Sequence, residues 1–157
     1  MLLDARSVPN GQTLATDVCI VGAGAAGITL AMELMGTGLS IILLEAGGRS
    51  QAGASQSLYQ GHVNDPVRHL PLDQARYRQL GGTTSLWGGR CIPFDEVDFE
   101  SREWVSHSGW PIARSHLDPY YRRAHAYCEC GSYDYQVASA LLGTPVEMLP
   151  AFKDGVV

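Results

Sequence analysis

Six residues, Gly22-Ala23-Gly24-Ala25-Ala26-Gly27, constrain this chain more than any other feature, because they stand between a strand pattern and a helix pattern. The run Asp17 to Val21 (DVCIV) is short, apolar and β-branched, as a buried parallel strand is. From Ala25 to Met35, apolar and small residues recur at helical spacing, and Gly36 and Gly38 supply a stop. Ser40 to Glu45 (SIILLE) then reads as a second buried strand. Strand, helix and strand in so few residues predict an α/β, Rossmann-like βαβ unit over 17–45, with its ligand crevice at the carboxyl ends of the strands.

Each glycine of the G-x-G-x-x-G has a separate task. Gly22 permits the tight turn, Gly24 lets the backbone approach a pyrophosphate, and Gly27 allows close packing of helix on strand. The helix then offers unpaired N–H groups and the positive end of its dipole to the phosphates. Ala23 and Ala26 lie within the same turn, and Glu45 and Ala46 follow the second strand. A carboxylate at Glu45 suits the ribose hydroxyls of an adenosine and repels a 2′-phosphate, which disfavours NADP. NAD and FAD share this fingerprint, so the motif alone leaves both open, as FAD/NAD(P)-binding folds generally do.

Residues 46–78 show no sustained period and read as a long irregular excursion, of the kind that is commonly functional. A second glycine cluster follows: Gly81, Gly82, Thr83, Thr84, Ser85, Leu86, Trp87, Gly88 and Gly89. Backbone this rich in glycine is built for close approach to something. Further on, a turn is expected at Ser108 to Pro111, and Asp118-Pro119 is expected to cap and open a helix running through Cys128. Beyond Gly131 the pattern weakens, and no closing element can be identified.

Three blocks resemble the glucose-methanol-choline (GMC) family of FAD-dependent oxidoreductases. They are DVCIVGAGAAGITLAMEL with IILLEAGG, then RQLGGTTSLWGGRCIPFDEVDF, and finally SGWPIARSHLDPYYRRAHAY. The resemblance implies an N-terminal FAD-binding portion, with the fingerprint at 17–45, a second flavin loop at 78–94 and a Trp-Pro turn and helix at 108–130. It implies that Gly22, Ala23, Gly24, Ala26, Gly27, Glu45 and Ala46 bind FAD together with Gly81, Gly82, Thr83, Ser85, Leu86, Trp87 and Gly88. Relatives with covalent flavin carry a histidine just before the tryptophan of the second loop. Leu86 stands there in this chain, so the expected FAD is non-covalent.

The implied activity is oxidation of CH–OH groups of alcohols or sugars by hydride transfer to flavin N5, with oxygen, a quinone or a cytochrome as electron acceptor. The implied base is a histidine near the end of a much longer chain, so no catalytic residue is assigned among these 157, and a substrate domain is expected to lie outside them. Two other readings stay open: an NAD-dependent Rossmann dehydrogenase, which leaves the second glycine cluster unexplained, and a non-catalytic nucleotide-binding module.

Composition narrows the partners. A net charge of -5 with scattered Arg and Lys offers no basic patch for nucleic acid. No stretch approaches the length of a membrane span, and the first residues lack a signal-peptide pattern, so a cytoplasmic protein is the expectation. The four cysteines read as reduced thiols, with Cys19 a small core residue of the first strand. His125-x-x-Cys128-x-Cys130 lacks a fourth ligand nearby in sequence and reads as a helix end with thiols, and Asp95, Glu96, Asp98 and Glu100 read as a solvated loop. His62, His69, His107 and His116 are read as surface or capping histidines.

Overall fold

A computed structural model describes residues 1–135, and the stretch 136–157, which carries no clear element in sequence, lies outside them. The chain divides into two compact units, Met1–Gly88 and Gly89 onward.

In the first unit, β1 (Val18–Val21) and β2 (Ile41–Leu44) pair in parallel, with Val18 opposite Ile41 and Val21 opposite Leu44. Two flanking bonds extend the ladder, from Val18 N–H to Ser40 O at 3.1 Å and from Gly22 N–H to Leu44 O at 2.7 Å. Between the strands runs α1 (Ala25–Leu34), in which three alanines, two leucines, Met32 and Glu33 favour the helix and offset the poorer helix formers Gly27, Ile28 and Thr29. Its end is fixed locally: Thr37 donates its N–H and its hydroxyl to Leu34 O at 3.3 and 2.7 Å, and Gly36 and Gly38 take φ of 82° and 85°. Observed and expected boundaries agree to within a residue, so the local pattern is enough to set this βαβ unit.

The open end of the strand pair is clamped by polar groups. Asp17 Oδ2 accepts from Ser40 N–H at 2.8 Å and from Ser40 Oγ at 2.6 Å, while Asp17 N–H donates back to Ser40 Oγ at 3.0 Å. These bonds, hydroxyl first, hold the Asp17 carboxyl below the usual carboxylate range.

Cys19 corrects an expectation. It is exposed rather than a core residue, because burial along β1 alternates and only Ile20, at 7% exposure, is buried. In a two-stranded sheet covered by one helix, alternate side chains point away from that cover, and Val21 at 82% exposure shares the open face. Burying Ile20 contributes about 2 kcal/mol.

The excursion after β2 is not wholly irregular. It contains α2 (Gly53–Gln56), a 3-10 turn over Ser57–Tyr59 and α3 (Leu72–Ala75), each too short for periodicity to reveal. The loop then returns to β2's end, where Gly48 and Gln79 form a parallel bridge.

In the second unit, α4 (Asp118–Cys128) follows a 3-10 turn over Arg114–Leu117. Asp118 is the first helical residue rather than the cap, Leu117 occupying the cap position, and Pro119 sits in the first turn, where its missing N–H costs nothing. Phe99 is buried, with the Phe94 ring edge-on at 6.2 Å and the Trp110 ring tilted at 6.3 Å. Tyr133 stacks on Tyr121 at 6.1 Å and meets His125 edge-on at 5.2 Å. Arg114 and Asp118 form an ion pair at 3.2 Å, and both reach the Tyr133 hydroxyl, at 2.8 and 3.0 Å respectively.

Candidate functional site

The glycine turn after β1 is tied down from both sides. Gly22 has φ of 99°, open to glycine at little cost, and a Cβ on Gly27 would lie 1.9 Å from Gly22 O. Gly27 is therefore required by packing of the helix on the turn. Gly24 differs: its φ is -83°, and a Cβ there would meet no described atom within 4 Å. Nothing within the described residues requires glycine at 24, and the space over it is open to a ligand. No side chain caps α1 at Gly24, so its first-turn N–H groups are available to an anion, and this fits a pyrophosphate.

Glu45 lies at the end of β2 and reaches across to this turn. Its Oε2 accepts from Ala23 N–H at 2.8 Å and its Oε1 from Gly47 N–H at 2.7 Å. Ala23 is 1% exposed, so the carboxylate fixes a buried segment of the turn. Ala46 lies exposed between Glu45 and Gly47.

The second glycine loop docks on the first. Leu80 N–H donates to Gly48 O at 2.9 Å and Gly81 N–H to Ala23 O at 2.8 Å. Gly81 and Gly82 have φ of 88° and 58°, and a Cβ on Gly82 would be 3.2 Å from the Cα of Gly24. Gly47 is closed in further, since its Cβ would meet Arg78 O at 2.2 Å and Gln79 Cα at 2.6 Å. The 3-10 turn over Gly82–Leu86 packs against α1. Within it, Thr83 Oγ1 accepts from Tyr77 N–H at 3.3 Å, and Ser85 Oγ accepts from the Gln79 side chain at 2.9 Å. Gly22, Ala23, Gly24, Glu45, Gly81 and Gly82 are thereby one cluster, with Ala26 and Gly27 in the first turn of α1 beside it. Leu86, Trp87 and Gly88, which follow Gly82 in the same loop, are exposed, Trp87 at 51%.

One positioning residue has no signal in sequence. Gln56 is buried, donates from Nε2 to Asp73 O at 2.6 Å and to Arg76 O, and accepts at Oε1 from Arg78 N–H at 3.0 Å. One amide thus satisfies three backbone groups on the approach to the second loop. A glutamine in a polar stretch reads as solvated, and only tertiary contact reveals this use.

Among the histidines, His116 Nδ1 accepts from Ala113 N–H at 3.4 Å, a capping contact of the expected kind. His125 is buried, with Nδ1 at 3.2 Å from Gly131 O and Nε2 at 2.8 Å from the Tyr135 hydroxyl. In the acidic segment Asp95 N–H donates to Asp98 Oδ2 at 2.9 Å, closing a local turn over Glu96–Asp98. The thiols differ from expectation: Cys91 joins Cys128 and Cys130, their sulfurs all within 4.8 Å of one another. Burial pushes the Cys91 thiol up to about 11, and Cys130 and Cys128 act in the same direction.

A parallel βαβ unit with two converging glycine loops and a carboxylate at the second strand's end defines a dinucleotide-binding protein. The family described as FAD dependent oxidoreductase matches residues 17–150, and this chain belongs to it. A 6'''-hydroxyparomomycin C oxidase of Streptomyces lividus is 30% identical over 119 residues, covering 67% of this chain and 21% of that protein. The fructose dehydrogenase large subunit of Gluconobacter japonicus is 28% identical over 160 residues, covering 78% and 28%. A paromamine 6'-oxidase of Streptomyces fradiae is 28% identical over 120 residues, covering 67% and 21%. The chain thus spans between a fifth and a third of the length of these curated relatives. No solved structure matches. No helix among the described residues is long and apolar enough to cross a membrane.

Proposed function

We propose that this chain is the FAD-binding portion of a GMC-type oxidoreductase that oxidises CH–OH groups of alcohols or sugars. The observation that carries this reading is the docking of the Gly81–Gly82 backbone on Ala23 and Gly24, because a plain NAD fingerprint has no use for a second glycine loop there. The relatives' names, oxidases of hydroxyparomomycin and paromamine and a dehydrogenase of fructose, support an oxygen-rich CH–OH substrate.

In this reading Gly24, Ala26 and Gly27 hold the pyrophosphate by backbone N–H groups, while Gly22 and Ala23, whose N–H groups bond to Leu44 O and to Glu45, shape the turn that receives it. Glu45 and Ala46 meet the adenosine ribose, and Glu45 orients the turn through Ala23 N–H. Gly81, Gly82, Thr83, Ser85, Leu86, Trp87 and Gly88 line the approach to the flavin ring, with Trp87 excluding water. Bound flavin supplies a hydride acceptor at N5. Leu86 gives the ring no nucleophile at the position before Trp87, so the flavin is held non-covalently. The proton acceptor for the substrate hydroxyl belongs to the rest of the protein, as does the route to oxygen, a quinone or a cytochrome.

The test is spectroscopic. The full-length protein should be yellow, release its flavin into solution on acid precipitation, and lose its visible flavin absorption when a polyol or aminoglycoside alcohol is added without oxygen. A colourless protein that instead reduces added NAD overturns the reading. Flavin that stays unreduced by every alcohol and sugar tried would leave a nucleotide-binding module in its place.

A further inference from the structure

Three of the four cysteines meet at one place in the second unit, although two stand at the end of α4 and the third lies 37 positions before Cys128. The backbone at the end of α4 is arranged to bring the first two together. Glu129 takes φ of 54° and ψ of 33°, a left-handed conformation that a side chain other than glycine adopts at some cost. Both Glu129 N–H and Cys130 N–H turn back to His125 O, the latter at 3.1 Å. The reversal puts Cys130 on the same side as Cys128, its thiol 3.6 Å from Cys128 O. Cys91 closes the triangle, with every sulfur within 4.8 Å of the others.

We propose that Cys91, Cys128 and Cys130 form a zinc site, three thiolates holding one Zn²⁺ with a solvent molecule as fourth ligand. A tetrahedral zinc ion with Zn–S bonds of about 2.3 Å sets its sulfurs about 3.8 Å apart, so the thiols close on it by about 1 Å, within reach of side-chain rotation. Three donors are the set that zinc accepts with one open position, whereas a disulfide would use two and strand the third. Each thiol gives up its proton to solvent on binding, so no oxidant or reductant is needed. The choice of zinc over calcium or magnesium follows from the soft donors and the absence of a carboxylate in the triangle. His125 is not a ligand here, since both its ring nitrogens are engaged by Gly131 O and the Tyr135 hydroxyl. The ion would fasten the segment that follows the second glycine loop in sequence to the last turn of α4.

The experiment uses the reduced full-length protein, with its thiols counted before each titration. Added Co²⁺ should bind with a thiolate-to-metal charge-transfer band and the strong visible bands of a tetrahedral site, and Zn²⁺ should displace it. C91S, C128S and C130S should each weaken binding on the order of a hundredfold or more, since even outer partners of a metal ligand cost tenfold to a hundredfold. C19S should leave it unchanged. Should a serine variant fail to fold, alkylation of the unmutated protein decides instead: Zn²⁺ should slow modification of Cys91, Cys128 and Cys130 together and not that of Cys19. The proposal is overturned by reduced thiols that give no charge-transfer band, by a band that survives in C91S, by equal alkylation of Cys91 with and without Zn²⁺, or by a Cys91 disulfide that persists when the metal is supplied.

Discussion

Replacing Gly47 by alanine asks whether the two glycine loops form one cradle. The added Cβ would stand 2.2 Å from Arg78 O, 2.4 Å from Arg78 C and 2.6 Å from Gln79 Cα, all backbone atoms that no rotamer change can move aside. Carbon contacts settle near 3.5 Å, so the two segments must part by about 1 Å. The bonds across this seam are Leu80 N–H to Gly48 O at 2.9 Å and Gly81 N–H to Ala23 O at 2.8 Å, and an opening of that size takes both out of range. Two lost hydrogen bonds at about 1 kcal/mol each, together with about 1 to 3 kcal/mol for overpacking, put the cost at about 3 to 5 kcal/mol. Gly48→Ala is the matched control, because its Cβ would meet Ser50 O at 3.5 Å and Ser50 N at 4.0 Å, both ordinary contacts. Denaturant unfolding of the full-length protein measures the stability loss, and titration of the apoprotein with FAD measures the cradle. The reasoning fails if Gly47→Ala unfolds within about 0.5 kcal/mol of the parent, or if Gly48→Ala does equal damage.

Gly24→Ala should separate binding from folding: the melt stays where it is, while FAD affinity drops at least about tenfold as the methyl blocks the pyrophosphate; a lowered melting temperature would mean the glycine is structural. Gln56→Leu should lower stability by about 2 kcal/mol or more, since it strands two carbonyls and an N–H around residues 73–78, and hydrogen exchange at Arg78 should accelerate first. The Asp17 clamp should respond to acid. Its folded carboxyl lies below the ordinary value, so its contribution is complete above about pH 3.9 and is lost as pH falls through the lower folded value. Exchange of Ser40 N–H should therefore quicken in acid beyond the intrinsic trend, and Asp17→Asn should remove that extra dependence.

Much of the βαβ unit was legible because its signals are local. An apolar run, a glycine turn, a helical pattern and Gly36 with Gly38 each act within a few residues, and β1, α1 and β2 fall where these place them. The contact between the loops was not legible, since nothing near Gly47 or Gly81 in sequence says which backbone each approaches. Cys19 was misread because a β-branched apolar run signals a strand but does not say how many faces are covered. Gln56 and the pairing of Cys91 with Cys128 and Cys130 depend on separations of about 20 to 40 residues, beyond any periodicity argument.

The bridge between Gly48 and Gln79 also bears on the order of assembly. The turn from Gly22 to Gly27 closes over five residues, whereas this bridge must gather a loop of about thirty, and the entropy of closing a loop is spent before its contacts form. The glycine turn is expected to be native-like in the folding transition state and the bridge to arrive after it. Substitutions at Gly47 and Gln56 would then act mainly by hastening unfolding. The seam along Gly48 and Gln79 would be the place where the nucleotide site opens first, well before the strands beneath it separate.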